Sequence, residues 1–255
     1  MPKPTRKSLI QSVERALNIL EVVRDSTKSV RAIDIARAVG LSPAAANNIV
    51  RTLFIRGYLT QDDHGHYLLG GKSYLLGGAA DSWGELRSVA REPMLGVSKK
   101  SKSLCFLGVE CQSQMIAISI AEGNGPLIVP RNQDWLEQLH CTAAGKILLA
   151  TMTPERYDDF KQCVTLQRFT NRTITDWHEL DSEINAVRDK GFALCRDESV
   201  FGLCSLGVPV MDSARQHVVA ALAVVFSSYY LNDDYQDQMV RLLLDAAATI
   251  CTNLK

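Results

Sequence analysis

Apolar residues in the first sixty positions recur at helical spacing. Val13, Ala16, Leu17, Leu20 and Val23 form a stripe that predicts an amphipathic helix, with Ser12 as its cap. A short second helix is read from Arg31 to Val39, where Ile33, Ile35, Ala36 and Val39 are apolar, and Gly40 supplies the turn that ends it. Ser42 and Pro43 then open a third helix: the serine as N-cap, the proline at the first helical position, where a missing N–H costs nothing. This helix runs to about Arg56 and is closed by Gly57. The period then switches to two. Tyr58–Gln61 and His66–Leu69 read as strands around the polar turn Asp62–Gly65. Two helices, a tight turn, a third helix and a hairpin make the layout of a winged helix-turn-helix.

Gly70 to Gly78 is glycine-rich. After it, Leu86, Ala90, Met94 and Val97 stand at helical spacing and predict a linker helix over residues 79–97, which Pro93 is expected to kink. Strands are expected at Leu104–Val109, Met115–Ala121 and Leu127–Val129. Thr142 is expected to cap a helix over Ala143–Met152, and Thr153 another that starts at Pro154. A longer helix spans Asp176 to Lys190 and ends at Gly191. Strands follow at Phe192–Arg196, Leu206–Met211 and Val218–Phe226, and an amphipathic helix from Asp233 to Cys251. The chain is therefore expected to be α+β: a DNA-binding domain over residues 1–78, the linker helix over 79–97, and a second domain over 98–255.

Composition narrows the function classes. With 46% apolar and 22% charged residues the chain reads as an ordinary folded protein. No stretch approaches the roughly 18–20 apolar residues of a membrane span, and the basic N-terminus lacks the apolar run of a secretory signal, so a cytoplasmic location is expected. Seven cysteines without CxxC spacing make neither a disulfide framework nor a zinc ribbon, and nothing calls for a cofactor or metal. The formal net charge is zero but unevenly distributed. Residues 1–80 carry eleven basic against six acidic side chains, a net +5 that leaves −5 for the remainder. A basic first part suits a polyanion.

On a helical wheel of the third helix, Ala46, Ile49, Val50, Leu53 and Phe54 gather on one side to face the first two helices. Ala44, Asn47, Asn48 and Arg51 gather on the other. Asparagine can hydrogen-bond both N6 and N7 of adenine, and arginine can grip guanine or a phosphate. The alanines let the helix N-terminus, with its free N–H groups, come close to the duplex. Arg31 and Arg37 on the second helix, Arg56, and His64 and His66 in the wing are candidates for backbone contacts. The candidate DNA-binding set is Arg31, Ser42, Ala44, Asn47, Asn48, Arg51 and His64.

At this point the residues match a known pattern. The run from Gln11 to Leu20 resembles the opening helix of the IclR family of bacterial transcription regulators. Ile35 to Ser42 resembles its helix-turn element, and Arg51 to Leu59 its third-helix ending and wing start. Leu139 to Ala150 is similar to the small-residue helix start of the family's effector domain. Lys190 to Ala193, Asp197-Glu198, and Gly202-Leu203 through Val208-Pro209-Val210 follow its C-terminal signature. The resemblance implies a GAF-like effector-binding domain, and a homodimer made through the DNA-binding domains, often a homotetramer. It also implies control of a catabolic operon by a small, usually acidic or aromatic metabolite. Two departures matter. Where the family's recognition helix usually carries Lys-Ser-Thr and then Arg, this chain has Pro43-Ala44-Ala45-Ala46-Asn47-Asn48, so the operator cannot be borrowed from relatives. The family's effector positions fall on Ala143, Ala144 and Gly145, whose N–H groups could bind a carboxylate, and on Cys195, Ser205, Ala223 and Val225. With Cys195, Ala223 and Val225 at positions usually more polar, an effector with a substantial apolar or aromatic portion is expected.

The cysteines and histidines admit three rival readings. Catalysis by Cys141 beside His140, or by Cys195 or Cys204 near His217, lacks the sequence context of an activated nucleophile, and the chain is not expected to be an enzyme. A thiol redox switch would use two of Cys141, Cys195 and Cys204. A structural metal would need His140, Cys141 and Cys195 together.

Overall fold

The computed structural model describes residues 9–26, 28–79, 82–126, 138–212 and 217–254. The chain divides into two compact units between Ser82 and Trp83, each described here by itself.

In the first unit, helices α1 (Gln11–Asp25), α2 (Ala32–Ala38) and α3 (Pro43–Ile55) are followed by strands β1 (Leu59–Gln61) and β2 (Tyr67–Leu69) and helix α4 (Gly71–Ala79). Ile19, Val23, Ile35, Val50, Leu53 and Leu59 fill the core. The stripe read from sequence on α1 is corrected by this core. Ile19 and Val23 are the buried positions, whereas Val13 and Leu17 are exposed. Ser12 does not cap α1; the helix starts two residues earlier than that cap implies, with Ile10 at the cap position and no side-chain bond. Ser42 does cap α3, its Oγ accepting the Ala45 N–H at 3.3 Å. The wing strands pair antiparallel with Leu59 opposite Leu69 and Gln61 opposite Tyr67. Val30 adds a third piece that the sequence pattern did not show, exchanging two backbone hydrogen bonds with Tyr67 at 2.9 and 2.7 Å. The glycine-rich stretch after the wing, to which the sequence pattern assigns no element, is the helix α4.

The second unit orders α5 (Gly84–Ser101), β3 (Leu104–Cys111), β4 (Gln114–Ala121), α6 (Ala143–Ala150), α7 (Pro154–Cys163), α8 (Trp177–Lys190), β5 (Ala193–Arg196), β6 (Leu203–Asp212), β7 (His217–Ser227) and α9 (Asp233–Asn253). The strand expected at Leu127–Val129 lies outside the described residues. One antiparallel sheet runs β4-β3-β7-β6-β5. Strand alternation sends side chains to two cores. Cys105, Leu107, Leu206, Val208, Leu222 and Val224 pack with α9 and with Leu86, Ala90, Met94 and Val97 of α5. The predicted linker-helix residues are thus part of this unit's core, in a helix continuous through Pro93. On the other face Phe106, Ala221, Ala223 and Val225 pack under α6, α7 and α8.

A buried charge ties that second face together. Lys146 lies within α6, is 0% exposed, and donates to Glu198 Oε1 at 2.7 Å and to Glu183 Oε1 at 3.1 Å. Glu183 comes from α8, and Glu198 follows β5. Burial alone would push the ammonium pKa down; the carboxylates of Glu198 and Glu183 push it up, so Lys146 stays charged.

Two substitutions test these contacts. Gly70 sits against Gly57, and a Cβ built on it would stand 2.4 Å from the Gly57 carbonyl oxygen. Gly70→Ala should destabilise the first unit by about 1–3 kcal/mol in urea unfolding. Lys146→Met strands Glu198 in the interior and should cost roughly 3–5 kcal/mol, whereas Lys146→Met with Glu198→Gln should recover part of that loss. Equal melting of the single and double variants would refute the pairing.

Candidate DNA-recognition face and effector site

Helix α3 divides as its wheel predicts. Ala46, Val50 and Leu53 are buried, while Ala44, Asn47, Asn48 and Arg51 are exposed on the opposite face. Phe54, assigned to the inner face by the wheel, is 41% exposed and meets Tyr67 edge-on, with ring centroids 6.4 Å apart. The side chains of Asn47, Asn48 and Arg51 make no hydrogen bond or ion pair with any described residue. Three polar side chains on one turn and a half of helix are therefore left with their donors and acceptors turned outward.

The flanking candidates are placed differently. Arg31 is clamped by Asp34, Nε at 2.6 Å and Nη2 at 3.2 Å, and Arg37 shares the same carboxylate at 3.5 Å. These are exposed ion pairs, which a phosphate can replace at little cost. His64 is exposed in the wing turn. The turn is organised by Asp62, which sequence reading passed over. Its carboxylate accepts the Ser29 hydroxyl at 2.5 Å and the N–H groups of His64 and His66, both at 2.9 Å. The Ser29 bond, then the His66 N–H, hold its pKa down at about 2. Asp62 thus anchors the wing tip to the segment before α2. An aspartate at the first position of a turn is the signal that could have found it.

The structure gathers the seven predicted effector residues. Ala143, Ala144, Cys195, Ala223 and Val225 share one buried cluster beneath the start of α6. Ser205 lies opposite Cys195 on one side and Val225 on the other. Its Oγ accepts the Ala143 N–H at 3.1 Å, and Thr142 Oγ1 accepts that of Gly145, also at 3.1 Å. Two of the three helix N–H groups read as carboxylate donors are therefore engaged internally. Gly207 lets α6 come this close: a Cβ there would meet Ala143 C and Ala144 N at 3.2 Å. Beside the cluster, His140 Nδ1 and Glu198 Oε2 are buried with no hydrogen-bond partner among the described residues. The other His140 nitrogen meets the Gln167 carbonyl at 2.9 Å. Sequence reading missed Lys146 and Glu198, although one lysine in the apolar run Ala143–Ala150 calls for a buried partner.

The cysteine geometry bears on the rival readings. Cys195 and Cys204 belong to opposite faces of the sheet and cannot pair. Burial pushes the Cys141 thiol up to about 12 and Cys204 to about 11, and raises Cys195 well above the ordinary range. Such thiols hold little of the reactive thiolate. No group of three His, Cys, Asp or Glu residues suited to a metal occurs among the described residues. None of the described helices is long and apolar enough to cross a membrane.

Comparisons with known proteins agree with this layout. The IclR helix-turn-helix domain model matches residues 12–63, and the bacterial transcriptional regulator IclR C-terminal model matches residues 80–252. The chain is 28% identical over 217 residues to the HTH-type transcriptional regulator XynR of Escherichia coli, covering 85% of this chain and 86% of that protein. It is 26% identical over 262 residues to the p-hydroxybenzoate hydroxylase transcriptional activator of Acinetobacter baylyi, covering 93% and 89% of the two chains. A crystal structure of an IclR homologue from Microbacterium hydrocarbonoxydans, complexed with 4-hydroxybenzoate, shares the fold with a TM-score of 0.76 at 21% identity, over 95% of this chain and 98% of that one. With both family models matched in order on a winged helix-turn-helix and an α+β effector domain, this chain belongs to the IclR family of DNA-binding bacterial transcriptional regulators and is not an enzyme.

Proposed function

We propose that this chain is a repressor of a catabolic operon that acts in the cytoplasm, binds a palindromic operator with α3 in the major groove, and is released or retained by a small organic-acid or aromatic effector. The observation that carries the DNA reading is the uncommitted face of α3, where Asn47, Asn48 and Arg51 have no internal partner beside an ordered wing. A polar face left open on a well-capped helix has its hydrogen bonds to make elsewhere, and base edges match asparagine and arginine. The candidate contacts are Arg31, Ser42, Ala44, Asn47, Asn48, Arg51 and His64.

A homodimer joined through the first unit presents two such heads to one operator. Its support is an apolar surface that the monomer leaves open: Ile10, Val13 and Leu17 on and before α1, and Tyr74, Leu75 and Leu76 on α4. Pairing of such dimers gives a homotetramer. For the effector, the lining of Ala143, Ala144, Gly145, Cys195, Ser205, Ala223 and Val225 favours an apolar or aromatic body. The unpartnered His140 Nδ1 and Glu198 Oε2 are both acceptors, since His140 Nε2 donates to the Gln167 carbonyl, and so suit a hydroxyl donor on that body rather than its carboxylate. The homologue solved with 4-hydroxybenzoate lends weight to an aromatic acid. Effector and operator are then linked reciprocally, each altering affinity for the other. The thiol switch is the weaker reading, since Cys141 and Cys195 are buried thiols held protonated.

Two measurements test this. Asn47→Ala or Asn48→Ala should cost roughly 1–3 kcal/mol at the cognate operator in a gel-shift titration, with little change on unrelated DNA; an equal small loss on every sequence marks backbone contact instead. Isothermal titration should show tighter binding of aromatic carboxylates than of short hydroxy- or keto-acids, and the reverse order refutes the effector class.

A further inference from the structure

We propose a second small-molecule site in the C-terminal unit: an anion-binding cavity at the outer edge of the sheet, formed by Arg168, Arg172 and Arg196 above the buried Lys146, for a small dianion bearing phosphoryl or paired carboxylate groups.

The site is built on a fixed loop. Between α7 and α8 the chain crosses the sheet edge at β5, and two buried threonines hold it there. Thr170 Oγ1 donates to the Asp197 carbonyl and Thr173 Oγ1 to the Glu198 carbonyl, each at 2.6 Å. Thr173 Oγ1 also accepts the N–H groups of Phe169 and Thr170, and Thr170 Oγ1 accepts that of Arg172. This loop sets Arg168 and Arg172 along one wall of a cavity of about 530 Å³, and β5 contributes Arg196. The volume lies within the usual range for small-molecule sites.

The charge arrangement selects an anion. Arg168 bonds only neutral oxygens, Thr175 Oγ1 at 2.7 Å and the Thr170 carbonyl at 3.5 Å. The Arg172 side chain has no partner among the described residues, and Arg196 approaches Asp197 no closer than 3.7 Å. The acidic groups in the lining offset part of this charge: Lys146, Arg168, Arg172 and Arg196 face Glu179, Glu183 and Glu198, four cations against three carboxylates for a balance of +1, with Glu183 and Glu198 both turned to Lys146. Three guanidinium groups on one surface, of which Arg196 alone has a carboxylate nearby and that beyond hydrogen-bond distance, match the forked geometry of phosphoryl or carboxylate oxygens. That they stand in the acidic part of the chain makes their clustering the more specific.

This cavity is separate from the effector site. Along β5, Leu194 and Arg196 line it, whereas Ala193 and Cys195 belong to the buried cluster under α6. The Lys146–Glu198 pair lines it as well, directly after Ala143–Gly145, so the two sites share a wall. An anion at the arginines is therefore placed to modulate the effector site through that pair.

The full-length protein is titrated calorimetrically with inorganic phosphate, glucose 6-phosphate and succinate, with glucose as the uncharged control at matched ionic strength. At least one dianion should saturate one site per chain, and Arg172→Glu should weaken it by about tenfold or more, since a charge-assisted bond is replaced by repulsion. Phosphate and succinate separate phosphoryl from carboxylate recognition. Arg172 is exposed and unpartnered, so the variant should melt as the wild type does. Hydrogen exchange should slow in residues 168–175 on binding. The proposal is overturned if no dianion saturates, if glucose binds equally, if Arg172→Glu and Arg196→Ala bind like wild type, or if protection appears at residues 143–145 and 205 instead.

Discussion

An ammonium group taken wholly out of water must carry its counter-charges with it, and in this chain Lys146 dictates where three separate segments can lie. Desolvating such an ion costs several kcal/mol, a cost offset only by well-placed carboxylates. Lys146 sits one residue beyond the small-residue start of α6, so its partners fix that start in space. Glu183 brings α8 alongside, and Glu198 brings the end of β5. The consequence reaches the sheet. With α6 held in this register, the Ala143 N–H meets Ser205, and the backbone passes so close to β6 that a Cβ at Gly207 would crowd it at 3.2 Å. The packing of the α6 start on the sheet is thus tied to satisfying one buried charge.

The first unit obeys the opposite rule. There the core is small and apolar, and the polar groups that matter are those left unsatisfied. Ser42 closes off the α3 N-terminus and Asp62 closes off the wing tip, each by accepting backbone N–H groups. Between these two fixed points Asn47, Asn48 and Arg51 are free of internal bonds. A rigid frame around open hydrogen-bonding groups is what base readout requires, because side chains already ordered by their scaffold lose less on binding. Internal satisfaction at the ends makes the middle available.

Much of this was legible in the sequence because local signals act alone. The Ser42-Pro43 start of α3, the Thr142 and Thr153 caps and the Gly191 stop all depend on residues within a turn of each other. What failed depended on distant partners. The α1 stripe was misassigned because Val13 and Leu17 are as apolar as the buried Ile19, and only the packing of α2 and α3 decides which side faces the core. Helix α4 was missed because Gly71, Gly77 and Gly78 depress its propensity. Val30 pairs with Tyr67 across 37 residues, and Lys146 with Glu198 across 52. A lone lysine in an apolar helix announces that a counter-charge exists, but not which one. The seven effector positions came from family likeness, and the fold gathers them into one place without any of them carrying a local signal of its own.

How such a unit senses its environment follows from the same strand alternation. Successive residues of β5 and β6 go to opposite faces, so Cys195 and Cys204 are separated by the sheet itself, whatever the oxidation state of the surroundings. Cys141 shares a face with Cys195, yet burial keeps both protonated, and a protonated thiol is a poor nucleophile toward peroxide. Chemistry at these sulfurs is therefore slow by construction. Binding is not: the surface around them combines small apolar side chains with two unpartnered polar atoms, His140 Nδ1 and Glu198 Oε2. Buried polar atoms without partners raise the energy of the empty state. A hydrogen-bond donor brought to these two acceptors removes that cost. The same burial that makes these thiols a poor redox switch makes them part of the apolar core beneath α6.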